Sequence, residues 1–190
     1  MAPDKDDDRL IDETLAGNAE AFGRLVGRYQ DRLYNAMVHI SGSTEDARDI
    51  VQDAFVQAFL KLEGFRRTSA FYTWVYRIAF NVAATRRRRE KNTLSLDGDA
   101  TGRMRDLADG GPGPHQRLER EERADRVQAA LRSLADEFRA VLVLREIDGH
   151  DYDSIAEILD LPVGTVRSRL HRARAQMREL LKEAVEIEKK

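Results

Sequence analysis

The chain has no cysteine, which excludes disulfides and thiolate zinc sites and fits a reducing compartment. No stretch approaches the roughly 18 uninterrupted apolar residues of a spanning helix, so no membrane insertion is expected. The N-terminus, MAPDKDDDRL, is acidic and lacks an apolar h-region; a secretory signal is not expected, and the chain reads as cytoplasmic. The four histidines, His39, His115, His150 and His171, are scattered, with no His-x-x-x-His pair. No metal site and no cofactor are therefore expected. The glycines at 110–113 are not followed by the Lys-Ser/Thr of a phosphate-cradling loop, and no Ser/His/Asp arrangement follows from spacing. These absences argue against an enzyme. Period-two alternation is also missing, which points to an all-α fold, and no internal repeat is visible.

What is present is charge, and it is segregated. Of 190 residues, 35% are charged, yet the net charge is only -2. Acids crowd residues 4–8 and 45–53, and arginines crowd 86–89 and 167–178. Two basic patches far apart in sequence are compatible with two DNA contacts. Residues 94–114 hold Gly98, Gly102, Gly110, Gly111, Pro112, Gly113 and Pro114 and few large apolar groups, the composition of a linker. A structureless stretch of that length is unusual inside one compact domain. The expected organisation is two small helical domains, 1–93 and 115–190, joined by a flexible linker at 94–114.

In the first half, Asn18 can cap a helix running from Ala19 to about Ile40. Ser43 can cap the next, with Glu45 and Asp46 in its first turn, as far as Leu62. A third starts near Ala70 and reaches the arginines. In the second half, helices are expected from Pro114 to near Leu134, over 136–147, over 152–159, and from about Val163.

Two of these helices carry more than a core stripe. Ala47, Ile50, Val51, Ala54, Phe55, Ala58 and Leu62 make one buried stripe. Val56, Phe59 and Leu60 fall outside it, beside Gln52, Asp53 and Gln57. They either pack on another helix of the same domain or form a docking face for a partner helix. In the segment 71–82, Phe71, Val75, Ile78 and Val82 share a core face; Trp74, Arg77 and Asn81 share a flank; Tyr76 and Phe80 point away from the core. Exposed aromatics followed by Arg86, Arg87, Arg88 and Arg89 suit single-stranded nucleic acid, with bases stacked on rings and cations along the backbone. A bulky core helix ending in a solvated charge run fits the same pattern.

The clearest local signal is YDSIAEILDLPVGTVRSRL, residues 152–170. A short helix carries small Ala156 where another helix must cross; a tight turn follows; Pro162 and Gly164 open the next helix. Val166, Leu170, Ala173 and Met177 form its buried stripe, and Arg167, Ser168, His171, Arg172 and Arg174 lie outside. From 163 to 178 there are five arginines and no acid. This arrangement lays a helix in the major groove, where arginine suits guanine and Ser168 can meet several bases or a phosphate. Asp160 stands at the turn position where glycine is commonest, and Asp tolerates the left-handed conformation better than most residues.

With these motifs in view, the chain resembles a sigma factor of the extracytoplasmic-function subgroup of the sigma-70 family. The resemblance is carried by AFGRLVGRYQDRLYNAM, EDARDIVQDAFVQAF, FRRTSAFYTWVYRIAFNVA and LREIDGHDYDSIAEILDLPVGTVRSRLHRARAQMRELL, in that order. It implies a subunit that binds core RNA polymerase and directs promoter-specific initiation, with an N-terminal region 2-like domain and a C-terminal region 4-like domain. It implies that Asp49, Gln52, Asp53, Val56 and Phe59 face the polymerase. Phe65, Arg66 and Thr68 would help hold a flipped base of the −10 element, with Trp74 and Asn81 beside that pocket and Arg77 on the same flank. Flipping a base costs a few kcal/mol of stacking, which a fitted pocket offsets. Thr165, Arg167, Ser168, Arg169, His171 and Arg172 would meet the −35 element. The linker would thread toward the polymerase active-site channel, an anti-sigma factor would be the usual regulator, and no regulatory C-terminal extension is expected. The competing expectation from the residues is a dimeric helix-turn-helix repressor or activator. Such a protein binds duplex half-sites unaided and has no evident use for the aromatic helix or the over-apolar one. A sigma factor is instead expected to be monomeric when free.

Overall fold

The computed structural model describes residues 4–94 and 114–187, with side chains described for 4–89 and 123–182. The expected linker, apart from its end residues Leu94 and Pro114, and its path therefore lie outside the described residues. The fold is all-α: α1 (Lys5–Leu15), α2 (Ala19–Ser41), α3 (Thr44–Leu60), α4 (Phe71–Leu94), α5 (Pro114–Ser133), α6 (Asp136–Leu142), α7 (Tyr152–Leu159) and α8 (Val163–Ile187).

Local chemistry sets these boundaries. The Asn18 side chain accepts from the Glu20 amide at 3.1 Å, and Ser43 Oγ accepts from the Asp46 amide at 3.2 Å. Each satisfies a donor that a helix start leaves orphaned. Gly42, with φ of 79°, ends α2 in the left-handed conformation. The helix expected over 136–147 changes character partway. After α6 the backbone widens into a π-type turn, Val143–Ile147, in which the Asp148 amide reaches back five residues to the Val143 carbonyl (3.0 Å). The His150 amide then donates to the Leu144 carbonyl (2.9 Å).

Helix α1 was not foreseen. It is capped by Asp4 and pinned to α2 through Asp7, which is buried, accepts from Arg28 (2.6 Å) and receives the Tyr29 hydroxyl (2.5 Å). Burial raises the Asp7 pKa, against the opposing pull of Tyr29 and Arg28.

Helices α1, α3 and α4 pack around α2; in the second half α5, α6 and α7 pack on α8. The halves also touch, α4 lying on α7 and α2 on the π-type turn, and their buried apolar residues form one continuous cluster. Polar groups cross the seam. Arg32 Nε donates to Asp148 Oδ1 (2.8 Å) and Arg32 Nη2 to the Asp148 carbonyl (2.7 Å). The Tyr72 hydroxyl donates to both Asp148 carboxylate oxygens (3.2 and 3.1 Å). Gln128 Oε1 lies 2.7 Å from His39 Nδ1, and its amide donates to the Val38 carbonyl.

This seam corrects one expectation. Tyr76 does point away from the core of its own half, but it is fully buried, because the second half covers that side of α4. Phe80 is half-buried in a cleft with Ile40, Ile50 and Ala140.

Arg139 of α6 is buried and donates to four carbonyls: Leu131 (2.7 Å), Arg132 (2.7 Å) and Leu134 (3.0 Å) at the end of α5, and Ile40 (3.2 Å) in the last turn of α2. Each helix C-terminus is equivalent to roughly half a negative charge, so two of them neutralise one buried cation. Burial still lowers the Arg139 pKa, and nearby Arg87 adds to the effect.

Candidate nucleic-acid and protein-docking surfaces

The first surface is on α3. Its core stripe is buried, and Val56, Phe59 and Leu60 emerge on the other side, 54%, 45% and 74% exposed. Phe59 rests edge-on against Phe22 of α2 (5.1 Å), and Val26, Val51 and Phe55 continue an apolar groove. Gln52 and Arg48 also line it, both exposed, and Asp49 and Asp53 are exposed on the same helix. Asp49 and Asp53, one helical turn apart, both accept from Arg86 of α4, at 3.0 and 2.9 Å. The α3 face thus combines an apolar groove with two carboxylates on the same helix that Arg86 of α4 holds in place.

The second surface is the loop 65–70 with the start of α4. Phe65 is half-buried against Trp74, ring centroids 4.8 Å apart, and meets Phe71 at 6.1 Å. Arg66 and Thr68 are exposed on either side of Arg67. Arg77 and Asn81 are exposed, three and seven residues beyond half-buried Trp74, which places all three along one flank. Of the six residues expected at the −10 element, Phe65 and Trp74 are in direct contact, Arg66 and Thr68 are exposed in the same loop as Phe65, and Arg77 and Asn81 follow Trp74 along α4. Sequence reasoning missed Arg67. It has φ of 54°, in the left-handed region, and ion pairs with Asp12 and with Asp8 (3.8 Å) of α1. A non-glycine residue held there signals a constrained loop, and only the Arg66-Arg67 doublet hinted at it.

The third surface is α7 and α8. Asp151 caps α7 by accepting from the Ser154 amide (2.8 Å), a bond that depresses the Asp151 pKa. Asp160 adopts φ 53°, ψ 53°, the left-handed turn the sequence requires there. The Pro162 carbonyl then accepts the first amides of α8, Thr165 (2.8 Å) and Val166 (3.1 Å). Val166, Leu170 and Ala173 are buried, with Met177 packed at the edge. Arg167, Ser168, His171 and Arg172 are exposed; Thr165 and Arg169 are half-buried. These six do not present themselves equally. Arg169 is paired with Glu137 (2.7 Å), Arg167 lies 5.8 Å from the Tyr152 ring centre, and Ser168 Oγ donates to the Thr165 carbonyl (3.0 Å). Just beyond them, Arg174 is tied to Glu146 (2.6 Å).

Among the described residues no group of three His, Asp or Glu side chains could hold a metal ion. No helix among them is long and apolar enough to cross a membrane.

Comparison with known proteins shows the family. The family model described as Sigma-70 region 2 matches residues 25–93, and Sigma-70, region 4 matches residues 124–177. The chain is 34% identical to the RNA polymerase sigma-H factor of Pseudomonas aeruginosa, over 97% of this chain and 100% of that protein. It is 33% identical to the ECF RNA polymerase sigma factor SigW of Bacillus subtilis, over 92% of this chain and 96% of that protein. Among solved structures it resembles the sigma factor RpoE of Bartonella quintana in complex with the anti-sigma factor NepR, with TM-score 0.69 and 26% identity over 85% of this chain and 96% of that one. The chain belongs to the extracytoplasmic-function subgroup of the sigma-70 family of RNA polymerase sigma factors.

Proposed function

We propose that this sigma factor, which directs RNA polymerase to promoters, divides the task among its three surfaces. The exposed face of α3, with Gln52, Val56 and Phe59 lining its groove and Asp49 and Asp53 on the same helix, docks on core polymerase. The loop residues Phe65, Arg66 and Thr68, with Trp74, Arg77 and Asn81, open and read the −10 element. Thr165, Arg167, Ser168, Arg169, His171 and Arg172 read the −35 element. The working units are residues 1–93 and 115–190, connected through 94–114. The protein acts in the cytoplasm as a monomer before it joins polymerase and catalyses nothing itself; nucleotide addition belongs to the polymerase. An anti-sigma partner fits the likeness to RpoE, solved with NepR.

The observation that carries this reading is the coexistence in one chain of an aromatic loop-and-helix and a basic helix-turn-helix, beside an uncovered apolar groove on α3. A duplex-binding repressor has use for only the second of these. The test is in vitro transcription from fragmented genomic DNA of the source organism, using core polymerase with and without the protein. Discrete new transcripts that need both components are expected. No new transcripts, together with no co-elution with core, would return the repressor reading.

A further inference from the structure

A site for single-stranded nucleic acid needs a ring on which a base can stack and a cation or donor for the neighbouring phosphate. The seam contains both parts, and they are occupied from within. On the first-half side stand Tyr72 and Tyr76 of α4 and Arg32 of α2, whose guanidinium lies 4.3 Å over the Tyr72 ring. On the second-half side is the turn Asp148-Gly149-His150, with Gly149 at φ of 75°. The His150 ring stacks on Tyr72, nearly parallel at 3° with centroids 5.6 Å apart, and meets Tyr76 edge-on at 5.2 Å. Two residues earlier, the Asp148 carboxylate takes the Arg32 Nε donor and the Tyr72 hydroxyl. A planar ring stacked on tyrosine, linked to an anion held by arginine and a hydroxyl, has the chemistry of a nucleotide.

We infer that the Tyr72–Tyr76–Arg32 surface is a subsite for single-stranded nucleic acid, and that the Asp148-Gly149-His150 turn fills it in the free chain as an intramolecular stand-in. His150 occupies the place of a base and Asp148 that of a phosphate.

The make-up of the seam supports exchange rather than permanent closure. The Tyr76 hydroxyl is buried and has no hydrogen-bond partner among the described residues. His150 Nε2 is 2.7 Å from Asp148 Oδ2 but not aligned for a hydrogen bond, and His150 Nδ1 is buried without one. A seam built to stay shut would do better with apolar groups, because buried unsatisfied polar atoms and buried charges weaken it. Withdrawal of the second half returns these groups to water, and a DNA strand offers the same anion and ring chemistry in exchange. Stacking on a tyrosine tolerates any base, so the subsite selects strand state rather than sequence. The turn thereby couples the position of the second half to strand capture by the first. The inference deepens the sigma-factor reading, which supplies the open strand, but its test needs only the chain itself.

The test is binding of a short labelled oligothymidylate to the full-length protein without polymerase, alongside a duplex of the same length. Removing the stand-in with Asp148→Ala and His150→Ala should tighten oligothymidylate binding by about fivefold or more, the scale of one stacked base, and leave duplex binding unchanged. Adding Arg32→Met to that variant should abolish the gain. The milder pair Asp148→Asn and His150→Leu, with helicity checked by circular dichroism, guards against loss of the turn. No gain in either pair, an equal gain for duplex, or a gain that survives Arg32→Met overturns the inference. A chain that starts no transcripts with core polymerase would refute the sigma-factor reading separately, without altering this comparison.

Discussion

Replacing Arg139 with methionine keeps the apolar stem and removes the guanidinium that caps α5 and reaches α2. Four charge-assisted hydrogen bonds are lost, each worth about 1.5–3 kcal/mol net. Against them stands the recovered desolvation cost of a buried cation, several kcal/mol. The carbonyls of Leu131, Leu134 and Ile40 then lose a donor in a buried setting, which adds to the loss. Removing one partner of a buried charged group typically costs about 3–5 kcal/mol, so we expect a loss of about 3 kcal/mol. At a slope of about 2 kcal/mol per molar urea, the unfolding midpoint should fall by about 1.5 M. Arg139→Lys keeps the charge but lacks the planar fork and should recover only part of the loss. Urea unfolding followed by circular dichroism measures both. A midpoint for Arg139→Met within about 0.25 M of the parent, at unchanged slope, would refute the account of one cation shared by two helix ends. Full recovery in Arg139→Lys would show that charge alone suffices.

Other substitutions test the proposed surfaces. Trp74→Ala should slow open-complex formation more than it weakens assembly with core polymerase; equal losses on closed and pre-melted templates would count against a role in melting. Arg172→Ala should relax preference at one upstream base by about 1–3 kcal/mol, whereas a uniform loss over all sequences would mark a phosphate contact. Asp53→Lys inverts a charge on the exposed face of α3 and sets a second cation beside Arg86; it should weaken core binding while leaving duplex binding by the chain intact, and unchanged co-elution with core would remove Asp53 from the interface. Asp151→Ala should cost about 1 kcal/mol as a lost N-cap. Because the folded pKa of Asp151 is depressed, its contribution is fully present above the unfolded value of about 3.9 and is lost only as pH falls below it. Parent and variant should therefore differ equally at pH 7 and pH 5 and converge in acid; a difference that disappears between pH 7 and 5 would exclude the capping carboxylate as its source.

The helices that were legible in sequence are those with capping residues and long apolar stripes. Asn18, Ser43 and the Asp160 turn each announce a boundary by local chemistry, and the structure uses all three. Helix α1 escaped because its signal is short. Leu10, Ile11 and Leu15 are its only large apolar residues, and the acids that cap and open it read as a solvated charge run. The burial of Asp7 depends on Arg28 and Tyr29, more than twenty residues away, which no local pattern carries. The seam escaped for the same reason on a larger scale: Arg32 and Asp148 are 116 residues apart. Helical phase placed Tyr76 on the side away from its own core, but phase cannot say what covers that side. The exposure of Val56, Phe59 and Leu60 was legible because apolar residues outside the core stripe break the periodic pattern where they occur.

The ion pairs also change what the arginine count means for DNA binding. Salt dependence measures the cations whose engagement with phosphate releases condensed counterions. Arg86 is held by Asp49 and Asp53, Arg87 by Asp136, Arg169 by Glu137 and Arg174 by Glu146. For each of these, contact with phosphate exchanges one anion for another and leaves a carboxylate to be rehydrated. The slope of log affinity against log salt should therefore be shallower than the number of arginines near the DNA suggests. The binding energy concentrates instead in cations such as Arg172, so specificity is less diluted by uniform attraction to any duplex.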